Sequence, residues 1–184
     1  NLNAIWDYKT SAATGYSANF LPSVDSGWTI AGAGDFTGDG RSDIVWFQES
    51  TGLVAIWQMT SASTIGNVTY PGCVGGNSSW RIIAVGDISG SGTASIIWRN
   101  TSTGQVLEWL MDAGGRMSGT RAYPALAPNW QFRTLADTNG DGIKDMVWLQ
   151  ATDGQVAIWR LAGGSVLATQ FPFAVGAASG WDIA

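Results

Sequence analysis

A ladder of tryptophans fixes what this chain can fold into. Trp28, Trp80, Trp130 and Trp181 open successive stretches spaced 52, 50 and 51 residues apart. Trp46, Trp98 and Trp148 follow 18 residues after an opener, and Trp57, Trp109 and Trp159 come 11 residues later again. Trp6 belongs to the last set, so all 11 tryptophans of the 184-residue chain have a place in one frame. Bulky aromatics on a fixed period mark one supersecondary unit used repeatedly, each copy covering a face of its neighbour.

Aligned on that frame, whole units run over residues 28–79, 80–129 and 130–180. Residues 1–27 match only the back half of a unit, because Ala4-Ile5-Trp6 falls on Ala157-Ile158-Trp159, and residues 181–184, WDIA, match only the start of one. Each whole unit reads as four short strands: WTIAGAG, DIVWF, VAIWQM and a looser fourth, with their equivalents. The runs are rich in Ile, Val and Trp and bounded by Gly, Asn, Asp and Ser. Gly52, Gly104 and Gly154 stand between the second and third strands, where a hairpin turn calls for positive φ. Aromatic–proline pairs such as Tyr70-Pro71 and Tyr123-Pro124 place the fourth strand on an exposed edge, since proline cannot donate to a ladder. The expected fold is all-β, a β-propeller of four-stranded antiparallel blades, with three whole blades and two pieces of a split blade.

The net charge of −5 and the lack of histidine argue against nucleic acid as a partner, and no apolar run suits membrane insertion. Without histidine, a His-based triad or metal site is excluded, and the only glutamates are Glu49 and Glu108, so no enzyme is expected. A lone cysteine, Cys73, excludes an internal disulfide. The chain begins with Asn, which fits a mature product or a fragment whose signal peptide is gone. Asn67, Asn77 and Asn100 stand in glycosylation sequons that matter only in a eukaryotic source.

The clearest chemistry lies between the first and second strands. In the third unit, Asp137, Asn139, Asp141 and Asp145 supply oxygens at positions 1, 3, 5 and 9 of a loop, and the Ile143 carbonyl adds one at position 7. That pattern can wrap a hard cation such as calcium. The first unit keeps Asp35, Asp39 and Asp43, with Thr37 at position 3 and Arg41 at position 7, a weaker version. In the second unit only Asp87 remains; Ser89, Ser91 and Ser95 replace the rest, and no metal is assigned there. The alternative is a Gly/Asp turn held by Asx hydrogen bonds alone.

The stretch GAGDFTGDGRSDIVW at residues 32–46 resembles the FG-GAP (VCBS-type) repeat of integrin-like propellers. Its Trp-rich form is similar to repeats of secreted bacterial proteins and of seven-bladed propeller lectins. The resemblance implies calcium ligation by Asp35, Asp39, Asp43, Asp137, Asn139, Asp141 and Asp145, and a secreted or extracellular location. It is not specific for function, because such repeats serve lectins, adhesins and scaffolds alike.

Two functions are weighed. The first is multivalent carbohydrate binding, with Trp28, Trp80, Trp130 and Trp181 stacking on the apolar faces of glycans; against it stands the use of these rings as packing wedges. The second is a structural or adhesive module that associates with other copies of itself, as a dimer, ring or filament, by completing the split blade. The residues after the opening tryptophans, Thr29, Arg81, Gln131 and Asp182, do not repeat, which keeps the second reading close.

Overall fold

A computed structural model describes the backbone of residues 3–7 and 17–176, with side chains from Phe20 onward. Trp181 and the WDIA segment lie outside the described residues. The described chain is all-β, and no helix in it is long and apolar enough to cross a membrane.

Each whole unit becomes one four-stranded antiparallel meander. The first sheet orders β3 (Trp28–Gly34), β4 (Asp43–Gln48), β5 (Leu53–Ser61) and β6 (Thr64–Cys73). The second holds β7 (Trp80–Gly86), β8 (Ser95–Asn100), β9 (Val106–Met111) and β10 (Met117–Tyr123). The third holds β11 (Trp130–Ala136), β12 (Asp145–Gln150), β13 (Val156–Ala162) and β14 (Ser165–Gln170). Ahead of them β1 (Asn3–Asp7) pairs with β2 (Ser17–Leu21) in a two-stranded sheet.

Local chemistry explains the repetition. Gly52, Gly104 and Gly154 take φ of 73°, 74° and 73°, the left-handed turn that only glycine adopts without strain. The first strand of each four-stranded sheet carries the same bulge against its partner, between Ile30 and Gly32, Ile82 and Ala84, and Phe132 and Thr134. A bulge there increases the local twist. Pro71 lies within β6, an outer edge strand.

The strands bearing the opening tryptophans run side by side, β3 next to β7 and β7 next to β11. Two apolar seams join the sheets. In the first, Phe36, Val45, Phe47, Val54 and Ile56 meet Ala94, Ile96, Trp98, Trp109 and Met111. In the second, Ile88, Ile97 and Val106 meet Met146, Trp148, Trp159 and Leu161. The tryptophans of the second and third strands tilt against each other within each four-stranded sheet, with centroids 4.9, 4.8 and 5.1 Å apart. Fully burying such rings contributes on the order of 3 kcal/mol each, which makes the seams the main cohesion of the repeat. Close approach at the first seam depends on Gly34, where a Cβ would lie 2.9 Å from Cγ1 of Val85. On the opposite face of the first sheet, Leu21 of β2 packs against Ile44, Trp46, Ala55, Trp57 and Met59.

Candidate functional site

The three Asp-Gly loops fold alike. The Asp35 carboxylate accepts the backbone N–H groups of Thr37, Gly38, Asp39 and Gly40 at 3.1, 2.6, 3.3 and 2.8 Å. Asp137 does the same for Asn139, Gly140, Asp141 and Gly142 at 3.3, 2.7, 3.2 and 2.9 Å. Asp87, in the loop stripped of other carboxylates, gathers Ser89, Gly90, Ser91 and Gly92 at 3.0, 2.8, 3.1 and 2.7 Å. One carboxylate at position 1 therefore suffices to shape the loop.

Position 9 turns inward. Asp43 is fully buried and accepts from the amides of Phe36 at 2.9 Å and Met59 at 2.8 Å. Asp145 is buried likewise, accepting the Leu161 amide at 2.9 Å, the Thr138 amide at 3.2 Å and the Thr138 hydroxyl. These aspartates tie the loop to the third strand of their own sheet. On the solvent side Asp39 pairs with Arg41 at 3.1 Å, and Asn139 donates to Asp141 at 2.8 Å. Among the described residues no three or more His, Cys, Asp or Glu side chains are grouped to hold a metal ion. Of the ligand positions expected in the third loop, 1 and 9 accept backbone amides through Asp137 and Asp145.

The electrostatics follow from these bonds. Amide donors, Gly142 first, hold the Asp137 carboxyl below its ordinary value. At Asp35 and Asp87 burial pushes upward, but the amides of the turn outweigh it and both carboxyls end low. At Asp43 burial, helped by the charges of Asp35 and Asp39, prevails over the two amides and pushes the carboxyl up.

The opening tryptophans take three different places. Trp28 is half-buried and lines a recess of about 210 Å³ with Trp46, Trp57, Tyr70 and Asp25. Tyr70, 66% exposed, forms an open wall of that recess. Trp80 is half-buried against the first seam. Trp130 is 8% exposed, with Phe171 tilted over it at 6.2 Å. The recess therefore accompanies Trp28, and the ring of Trp130 is a packing element.

Sequence reasoning passed over two features of the second sheet. Arg99 stands where the aligned units carry Phe47 and Leu149. It is buried, its guanidinium lies 5.4 Å from the Trp148 ring centroid, and it donates to the carbonyls of Ala127 at 3.0 Å, Leu126 at 3.4 Å and Trp130. Glu108, where the other units have Ile56 and Ile158, is fully buried and accepts from Arg121 and from the Tyr123 hydroxyl, each at 2.9 Å. Burial and the Glu108 charge together raise the Tyr123 hydroxyl above its ordinary value. A break in an otherwise apolar column was the signal that could have found both.

Fold and site together define an all-β repeat protein of four-stranded antiparallel sheets with Trp-rich seams. No protein-family model matches the chain, and no curated protein matches it in sequence. A solved structure is similar: that of TcdB2-TccC3 without its hypervariable C-terminal region, with a TM-score of 0.50 and 19% identity. The match covers 74% of this chain and 6% of that one, so the present chain corresponds to a small portion of a much longer protein. A likeness at that identity shows the fold alone.

Proposed function

We propose that this is a carbohydrate-binding repeat protein of β-propeller architecture, secreted and without enzymatic activity. The observation that carries this reading is the Trp28 recess, where aromatic faces stand beside the carboxylate of Asp25 in an open hollow. A sugar matches that chemistry, since its C–H face stacks on aromatic rings while its hydroxyls bond carboxylates. Trp80, half-buried against the first seam, is the second-rank candidate, and multivalency rests on it. The test is a glycan array probed with labelled protein in calcium-containing buffer. Sugar-competed signal that Trp28→Ala removes is the expected result; a blank from folded protein excludes the reading.

Calcium belongs to this reading as a stabilising ligand of the third loop, held from the solvent side by Asp137, Asn139 and Asp141 while Asp145 stays on its amides. A native-state ligand raises the melting temperature, so chelation of metal-saturated protein is expected to lower it. An unchanged melting point removes calcium from the account.

A second reading, a module that associates with other copies of itself, is favoured by one observation. The third strands of the whole sheets pair on both sides, whereas β1, which aligns with them, pairs with β2 alone among the described residues. An open strand edge is a template for another chain. Light scattering on the intact chain separates the two: a monomer across a wide concentration range excludes completion of the split sheet by a second copy.

A further inference from the structure

The two seams differ at the end where the opening tryptophans enter. At the second seam Arg99 fills the space and caps the carbonyls of Leu126, Ala127 and Trp130. At the first seam its counterpart, Phe47, turns edge-on to Trp98 at 5.5 Å and caps nothing. The carbonyls there are capped instead from the second sheet by Arg81, whose Nη1 donates to Ser78 at 2.6 Å and Trp80 at 2.9 Å. Arg81 thus holds carbonyls of its own chain with Nη1, and no arginine stands at the Phe47 position to fill the end of the seam. The result is a cleft of about 690 Å³, within the range of small-molecule sites.

The walls of the cleft are of two kinds. Ile30 and Ile82 supply aliphatic surface, and Ile30 is 56% exposed, unusual for a strand residue beside a seam. Opposite them Arg81 Nη2 pairs with Glu49 Oε1 across the seam, so the two sheets each contribute one charge. The other carboxylate oxygen of Glu49 carries no hydrogen bond among the described residues and remains an acceptor. Asn77, held at φ 51°, adds an amide to the rim. None of this repeats at the second seam, where Thr101 aligns with Glu49 and Gln131 with Arg81.

We propose that this cleft is a ligand site separate from the Trp28 recess, selecting a neutral pyranose whose vicinal hydroxyls bridge Glu49, Arg81 and Asn77 while its C–H face covers Ile30 and Ile82. The ligand class rests on the carbohydrate-binding reading; the site does not depend on the recess. A compact ion pair presents an acceptor and a donor a few ångströms apart, which suits adjacent hydroxyls. A uronate is disfavoured, because Arg81 is already neutralised by Glu49 and the chain carries a net charge of −5. The site occurs once among the described residues, and monovalent binding is expected of it.

The test is a two-dimensional amide NMR titration of the intact chain with methyl β-glucopyranoside, methyl α-mannopyranoside and methyl β-galactopyranoside. Saturable shifts at the amides of Ser50, Asn77 and Arg81 are expected for at least one of them, with at least tenfold weaker binding in Glu49→Gln and Arg81→Met. Trp28→Ala is expected to leave these shifts in place, so failure of the recess does not imply failure of the cleft. Dispersed spectra of the variants establish that they fold. Shifts with none of the three glycosides overturn the proposal, as do shifts that survive both cleft substitutions. Equal affinity for methyl glucuronide overturns the selection of a neutral sugar.

Discussion

The first and second seams are made from the same aligned positions and still behave as different objects. Both bury a tryptophan pair under aliphatic side chains of the preceding sheet. The first has an apolar centre, is tied across the sheets by Gln58 and Thr69, which donate to the carbonyls of Gly114 and Gly115, and opens into a cleft at one end. The second is plugged by a buried arginine and holds a buried Glu108–Arg121–Tyr123 cluster beside it. The lesson is that periodic aromatics set the spacing of the sheets, while single departures from the period decide whether a seam is closed or offers a site.

The largest expected effect is loss of either seam itself. Trp98→Ala and Trp148→Ala each remove a fully buried ring, and a loss of about 3–5 kcal/mol is expected in urea unfolding. Trp148→Ala should cost more than Trp98→Ala, because it also removes the ring beneath the Arg99 guanidinium; the reverse order would break the comparison.

Next comes the buried cluster. Arg121→Ala leaves Glu108 buried with its charge partner gone, and a loss of about 3 kcal/mol is expected. Glu108→Ile, which restores the residue type of the other two units, removes the buried charge itself but leaves the Tyr123 hydroxyl without its acceptor, and a smaller loss of about 1–2 kcal/mol is expected. If both substitutions cost the same, the cluster is a net source of cohesion and the second seam depends on it.

Arg99→Ala strips donors from three carbonyls, and a loss of about 1–3 kcal/mol is expected. It should also open at the second seam a hollow like the one at the first, detectable as a new exposed surface in hydrogen exchange at Leu126 and Trp130. Unchanged protection there would mean that the plug is not what closes the seam.

The smallest effect concerns pH. Asp35, Asp87 and Asp137 have folded values below their ordinary 3.8. Their contribution is thus complete above that value and is lost as pH falls through the lower, folded one. Asp43 has the opposite sign: its folded value is raised, so its contribution is complete below 3.8 and is lost as pH rises through the folded one. Asp87→Asn is therefore expected to lower the melting temperature near neutrality and to flatten its fall in strong acid, where the parent chain has lost the same contribution. An acid limb as steep as in the parent chain would show that the turn amides do not hold that carboxylate.

Much of this was legible from the residues. The spacing of Trp28, Trp80 and Trp130 places the start of β3, β7 and β11. The glycine of each strand two–three turn foretold its positive φ. The loops were legible as loops, and the Asx alternative described how Asp35 and Asp137 are used. What could not be read was direction. The spacing places Asp43 and Asp145 at the ends of their loops, but only the turn of the strand shows that they accept the amides of Met59 and Leu161.

The sequence by itself determined the unit, its four strands, its turns and the residues that recur, because period and turn chemistry are local properties of a chain. Tertiary structure alone decided what each non-repeating residue does. Phe47 and Arg99 occupy the same position in their strands, yet one leaves a cleft and the other closes it. That outcome depends on which carbonyls, from a loop 27 to 31 residues further along, come within reach of a guanidinium. No local pattern carries that information; only the packing of one sheet against the next supplies it.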